Sequence, residues 1–265
     1  MINNPKQIIQ ADSYQEGFKI VGIVNSPAQY RNDIAVVFIA GFERFGYEQK
    51  WRLLTQELNR QGIATLQFDF TGLGLSDGIY NEPTMEHLLS DLKNLTTTFK
   101  QQYNVSKLIL VGHSLGACVA ISAKNSMQGI SKLILLAPAL NQKELNRYRY
   151  AMSTNKNKEL TITFDNYKDN FNESDYQLSI QQTSIKKANI ILPSYMQQMS
   201  DIDYTTIIND DSDILIIHGD KDNTVPLNSL SHLFTNTTIV SGGDHDLEKP
   251  GIIEKRIHTA IDFVQ

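Results

Sequence analysis

The run Ile34 to Phe42, IAVVFIAGF, is apolar continuously rather than at every second position. A strand with one face in water alternates, so a run without alternation belongs to a strand covered on both faces, as in a parallel sheet packed between helices. Further strands are expected at Phe18–Val24, Ile63–Phe70, KLILVG (from Lys107), SKLILLAP (from Ser131), SDILIIHG (from Ser212) and TTIV (from Thr237). Helical spacing falls between them. Trp51, Leu54 and Leu58 precede a capping Gly62. Leu88, Leu92, Leu95 and Phe99 follow Thr84, a suitable N-cap, and LGACVAISAKNSMQG reaches Gly129. A short helix over PLNSLSHLF and a closing one over PGIIEKRIHTAIDFV, with Pro250 in its first turn, complete the alternation. Strands alternating with helices predict an α/β fold with a mostly parallel central sheet covered on both faces.

Residues 141–205 interrupt that rhythm, being rich in Asn, Gln, Lys and Tyr with weak periodicity. They are expected to form an insertion or lid, leaving 1–140 and 206–265 as the core. Within the insertion LTITFDNY alternates like a strand, and ILPSYMQQMSDID suits a helix beginning near Pro193. Tyr148, Tyr150, Tyr167 and Tyr195 could line an aromatic pocket or simply be packed.

The chain has 265 residues, 41% hydrophobic and 20% charged, enough for one substantial core. Its net charge of −5 offers no basic surplus for tracking phosphates, so no nucleic-acid partner is expected. A single cysteine, Cys118, rules out an intramolecular disulfide. The N-terminal residues lack the pattern of a signal peptide, and no stretch approaches the roughly 20 apolar residues that span a bilayer. A cytoplasmic location without a membrane partner is the corresponding expectation; oligomeric state is left open.

Chemistry is expected at three strand ends. Gly112-His113-Ser114-Leu115-Gly116 sits where a strand should meet a helix, and its glycines remove side chains that would collide across so sharp a turn. Ser114 is the candidate nucleophile. A serine needs a base, and the base needs an acceptor to hold its tautomer. Of six histidines, His87, His232 and His258 fall in expected helices, His113 lies inside the turn and His218 ends a strand. His245, in the loop SGGDHDLEKP, is the candidate base, with Asp244 and Asp246 as flanking turn or cap residues. The loop HGDKDNTVP offers Asp222 as the acid and Asp220 as a turn-former, whereas Asp213 lies at the wrong end of its strand. Cys118, one turn beyond Ser114, is expected to be a packed thiol. These Asp and His residues lack the close spacing of zinc motifs, so neither metal nor organic cofactor is expected.

Ser114, Asp222 and His245 in that order, with GHSLG, HGDKDNTVP and GGDHDL on strand-end loops, resemble the α/β-hydrolase fold. FDFTGLGLSDG, Phe68 to Gly78, matches the segment these enzymes carry before the helix leading to the nucleophile strand. The likeness extends from about residue 18 onward. Within the fold, LLAPAL with the insertion after it and PSYMQQMSDIDYTTI resemble bacterial cinnamoyl and feruloyl esterases and the related monoacylglycerol lipase-like and serine aminopeptidase-like hydrolases. The resemblance implies an ester-cleaving serine hydrolase acting through an acyl-enzyme on a small acyl ester. It also implies an oxyanion hole formed by the backbone N–H groups of Phe42 and Leu115. The family often carries His-Gly after its third strand. Here Ala40-Gly41-Phe42 stands instead, which puts the shape of that loop in question and leaves the backbone donors available. Arg44, two residues on, could bind an acidic substrate group. A thioesterase or acyltransferase is the alternative enzyme, and a non-catalytic binding protein on the same fold is a third reading. Nothing local supports a peptidase.

Overall fold

The computed structural model describes residues 6–156, 159–186, 189–208, 212–230 and 234–265. Its strands and helices run β1 (Lys6–Asp12), β2 (Lys19–Asn25), β3 (Ile34–Ile39), α1 (Gln49–Arg60), β4 (Ala64–Phe68), α2 (Met85–Tyr103), β5 (Lys107–His113), α3 (Leu115–Ser126) and β6 (Ile130–Leu136). After β6 come α4 (Gln142–Thr154), α5 (Glu173–Ser179), β7 (Ser184–Lys186), β8 (Asn189–Ile191) and α6 (Pro193–Met199). The chain then returns through β9 (Ile214–Gly219), β10 (Asn236–Val240) and α7 (Ile252–Val264).

Eight strands form one sheet in the order β1-β2-β4-β3-β5-β6-β9-β10. The β1–β2 and β2–β4 pairs are antiparallel and the remainder parallel. The continuous apolar runs follow directly from this placement. On β3, Ala35, Val37 and Ile39 enter one core cluster while Val36 and Phe38 enter the other. On β5, Leu108 and Leu110 part from Ile109 and Val111 in the same way. Leu88, Leu92, Leu95 and Phe99 of α2 cover the first face, where Ala117, Ala120 and Ala123 let α3 approach closely. Trp51, Leu54 and Leu58 of α1, with Ala260 and Val264 of α7, cover the second. Each fully buried side chain of this size contributes roughly 1.5–3 kcal/mol.

The expected α/β-hydrolase architecture is therefore present, with local differences. The third strand ends at Ile39, which leaves Ala40–Phe42 as a loop. PLNSLSHLF holds a 3-10 turn at Leu227–Ser229, while residues 231–233, including His232, lie outside the described residues. The closing helix begins at Ile252 behind Gly251, so Pro250 precedes it. LTITFDNY is not a strand: Leu160, Ile162 and Phe164 pack instead with Tyr148 and Tyr167. Its alternation does aim the apolar side chains one way, but they meet an aromatic cluster and not a neighbouring strand. The helix at Pro193 is present, whereas β1, α4, α5 and the β7–β8 hairpin were not anticipated. Among the described residues no helix is long and apolar enough to cross a membrane.

Candidate active site

Ser114 stands between β5 and α3 with φ +55° and ψ −115°, a conformation that L-residues avoid unless neighbours enforce it. The two glycines are needed for close approach. A Cβ on Gly112 would lie 2.4 Å from the Gly116 carbonyl oxygen, and one on Gly116 would lie 2.3 Å from that of Ile39. The Ser114 N–H donates to Leu136 O on the neighbouring strand at 3.0 Å, pinning the turn to the sheet. At the first position of α3, Leu115 has an N–H with no intrahelical acceptor, as at every helix start.

Asp222, in the loop after β9, has a fully buried carboxylate. Its Oδ1 accepts from the N–H groups of Thr224 and Val225, each at 2.8 Å. Its Oδ2 accepts from Nδ1 of His245 at 2.7 Å. Donation through Nδ1 leaves Nε2 of His245 with its lone pair free, the tautomer a general base requires. The His245 side chain is 18% exposed and lines a cavity of about 840 Å³ together with Ser114, Leu115 and Phe42. Among the described residues no hydrogen bond joins the Ser114 hydroxyl to His245; such contacts are often loose before substrate binds.

The other expected residues find structural positions. Asp220 accepts from Gly242 N–H at 2.7 Å and ties two loops together. Asp213 pairs with Lys124, and Asp244 accepts from Leu247 N–H. His218 is buried beneath Asp222; its Nε2–H donates to Val225 O at 2.9 Å, and burial lowers its pKa. His87 stacks on Tyr14, while His258 pairs with Asp262 on the surface. Burial pushes the Cys118 thiol up to about 12, and it donates to Ala139 O, so it is an inert packed group. Tyr150 and Tyr195 line the cavity, but Tyr148 and Tyr167 pack against each other away from its wall.

Behind His245 lies a charge cluster that sequence reasoning missed. Lys50 on α1 is 2% exposed and pairs with Asp246 and Glu48, each at 3.1 Å. Arg44 lines the cavity, but its guanidinium already engages Asp246 at 2.5 Å and Glu48 at 3.2 Å. Asp246 is thereby a brace between the Arg44 loop, α1 and the His245 loop. Desolvation, then the Lys50 charge beside it, drive the His113 pKa well below its usual value. Neutral His113 donates from Nε2 to the His245 carbonyl at 2.8 Å. The only sequence signal for Lys50 was a lysine beside Trp51 on the inward face of α1. Among the described residues no group of three or more His, Cys, Asp or Glu side chains is arranged to hold a metal ion.

The family model described as serine aminopeptidase, S33, matches residues 31–240. The chain belongs to this family. Its members are hydrolases of the α/β fold, and solved structures match across nearly the whole chain. Est1E from Butyrivibrio proteoclasticus with ferulic acid bound superposes with a TM-score of 0.72 at 21% identity, covering 97% of this chain and 99% of that one. An esterase from Pyrococcus furiosus gives 0.65 at 17%, covering 98% and 90%. A thermostable carboxyl esterase from Bacillus coagulans in complex with glycerol gives 0.65 at 16%, covering 98% and 97%. No curated protein sequence shows a significant match.

Proposed function

We propose that this S33-family chain cleaves carboxylic esters, with Ser114 as nucleophile, His245 as general base and Asp222 as its orienting acid. The observation that carries the reading is the 2.7 Å bond between Nδ1 of His245 and buried Asp222, on the cavity where Ser114 is presented by a strained turn. His245 Nε2 takes the hydroxyl proton as Ser114 attacks the ester carbonyl. The tetrahedral oxyanion is met by the N–H groups of Phe42 and Leu115, each worth about 2.7–4 kcal/mol in such sites. Collapse expels the alcohol with the proton from His245. Water, deprotonated by the same nitrogen, then releases the acid from the acyl-enzyme. Asp222 stabilises the imidazolium in both halves of the cycle.

The nature of the two backbone donors explains how the loop functions without a histidine before Gly41. Phe42 is fixed by its own ring, which stacks on Tyr195 at 5.0 Å and packs at 5.8 Å from Tyr80. Arg44 and Asp246 anchor the other end of the same loop, a holding role in this reading. That two of the structural relatives are named esterases supports the substrate class, while their identities to this chain establish only the fold.

The test combines 4-nitrophenyl butyrate turnover with labelling by a fluorophosphonate probe. Wild type should turn over and become labelled at Ser114, while Ser114→Ala should lose labelling and about 10⁶-fold in kcat. Full turnover in Ser114→Ala would sink the assignment, and failure of folded wild type to react with the probe would favour a binding protein. Faster hydrolysis of an acyl thioester than of its matched oxygen ester would shift the reading to a thioesterase.

A further inference from the structure

One face of α4 sends Gln142, Asn146, Arg149, Tyr150 and Ser153 into the cavity. Their spacing is that of a single helical stripe, and every one carries a polar group. Elsewhere the wall sets apolar side chains, Phe42, Ile180 and Met196, among polar ones that include Glu43, Arg44 and Asp246. A ligand held there meets the α4 strip, with the single charge of Arg149, on one side and apolar patches between other polar groups on the rest of the wall.

Arg149 differs from the other cations near the site. Arg44 and Lys50 are each matched by carboxylates, and Arg147, on a different face of α4, is matched by Glu173 and Asp201. The guanidinium of Arg149 donates to the Thr224 carbonyl at 3.4 Å, and among the described residues no carboxylate lies within ion-pair distance of it. Asp222, the nearby acid whose field it feels, is committed to His245, Thr224 and Val225. Desolvation lowers the Arg149 pKa, yet a guanidinium stays charged at any physiological pH. A half-buried cation with most of its five donors unused by the protein is free to take an anion from the cavity.

We propose that Arg149 is a specificity-determining residue that binds a carboxylate carried by the ester substrate away from the scissile bond. The inference rests on the serine hydrolase reading for its chemistry and adds the substrate class: monoesters of dicarboxylic acids, or esters of hydroxy acids. The planar guanidinium fork suits a carboxylate, and the apolar patches at Phe42, Ile180 and Met196 suit the carbon chain joining it to the ester.

Two matched substrate pairs test it and separate the two sources of the carboxylate. 4-Nitrophenyl hydrogen adipate against 4-nitrophenyl hexanoate puts the charge on the acyl side. 4-Carboxyphenyl butyrate against 4-carbamoylphenyl butyrate puts it on the leaving group. Wild type should favour the charged member of one pair in kcat/KM. In Arg149→Met that charged-to-neutral ratio should fall at least about tenfold, mainly through KM, as expected for one lost charge-assisted hydrogen bond. Arg149→Lys should recover part of the ratio, since it restores the charge without the fork, and it carries the comparison if Arg149→Met does not fold. No preference for the charged member in either pair, or a ratio untouched by both variants, overturns the proposal. If wild type hydrolyses none of the four esters, the hydrolase reading is what fails. Calorimetry on Ser114→Ala then decides for the arginine. Tighter binding of monomethyl adipate than of methyl hexanoate, lost on adding Arg149→Met, supports it, and equal binding of the two overturns it.

Discussion

The central sheet and the segment between β6 and β9 bury their side chains by different means. In the sheet, most aliphatic residues of β3, β5, β6 and β9 are buried, and glycines bring backbone against backbone. In the segment, Tyr148 packs edge to face on Phe164, Tyr167 lies tilted against both, and Tyr167 donates to Glu144. Arg147 lies over the Tyr176 ring while bonding Glu173, Asp201 and the Ser200 carbonyl. Side-chain cohesion in the sheet is non-directional and indifferent to pH; in the segment it is also polar, directional and dependent on ionisation. The candidate side chains Ser114, Asp222 and His245 ride on the first region, and much of the cavity wall comes from the second.

The largest test of that division is Asp222→Asn. It leaves a similar shape on the sheet but favours the wrong His245 tautomer, so kcat on 4-nitrophenyl butyrate should fall about 10⁴-fold with little change in melting temperature. A loss below tenfold would mean that the site does not depend on this pair. Next comes Gly116→Ala, whose added Cβ meets the carbonyl oxygens of Ile39 at 2.3 Å and Ala40 at 2.7 Å, neither of which can swing aside. Urea unfolding should show a loss of about 3 kcal/mol. A wild-type midpoint would show that the sheet yields more than its packing implies.

A smaller effect is expected from Arg147→Met. The carboxylates it would release, on Glu173 and Asp201, are 51% and 64% exposed and regain water, so the cost should be only about 1 kcal/mol. Hydrogen exchange should speed up in α4 and α5 while β5 and β6 remain protected; a uniform change would erase the distinction between the regions. The smallest effect is the pH dependence of the same contact. Arg147, foremost, holds the Glu173 pKa down at about 2 against its ordinary 4.5. A carboxyl with a depressed folded pKa stabilises above its unfolded value and loses that contribution as pH falls through the folded one. Tyrosine near-UV circular dichroism should therefore weaken between about pH 4.5 and 2, and Glu173→Gln should flatten that step.

The same contrast explains what could be read from the sequence. Strands buried on both faces announce themselves by continuous apolar runs, and the strand-end loops that carry Ser114, Asp222 and His245 follow from their order. β1 was silent because only Ile9 of its seven residues is buried, as expected of an antiparallel edge strand. α4 was silent because the face it turns to the cavity is polar, so no apolar periodicity marks it. The hairpin of β7 and β8 leaves Ile185 and Ile190 exposed, a pattern indistinguishable from a loop. The pairing of Lys50 with Asp246 escaped notice because it joins residues 196 positions apart, which no local pattern encodes.

The stack of Phe42 on Tyr195 bears on how such a protein could be altered. Tyr195 comes from α6, inside the segment between β6 and β9, yet it packs on the loop after β3 that carries the proposed oxyanion donor Phe42. The two parts are therefore not interchangeable modules. A chimera that imports a foreign segment to change substrate range would also have to carry an aromatic partner for Phe42. Without one, the chimera would be expected to fold on its sheet, bind its new ester and turn it over slowly.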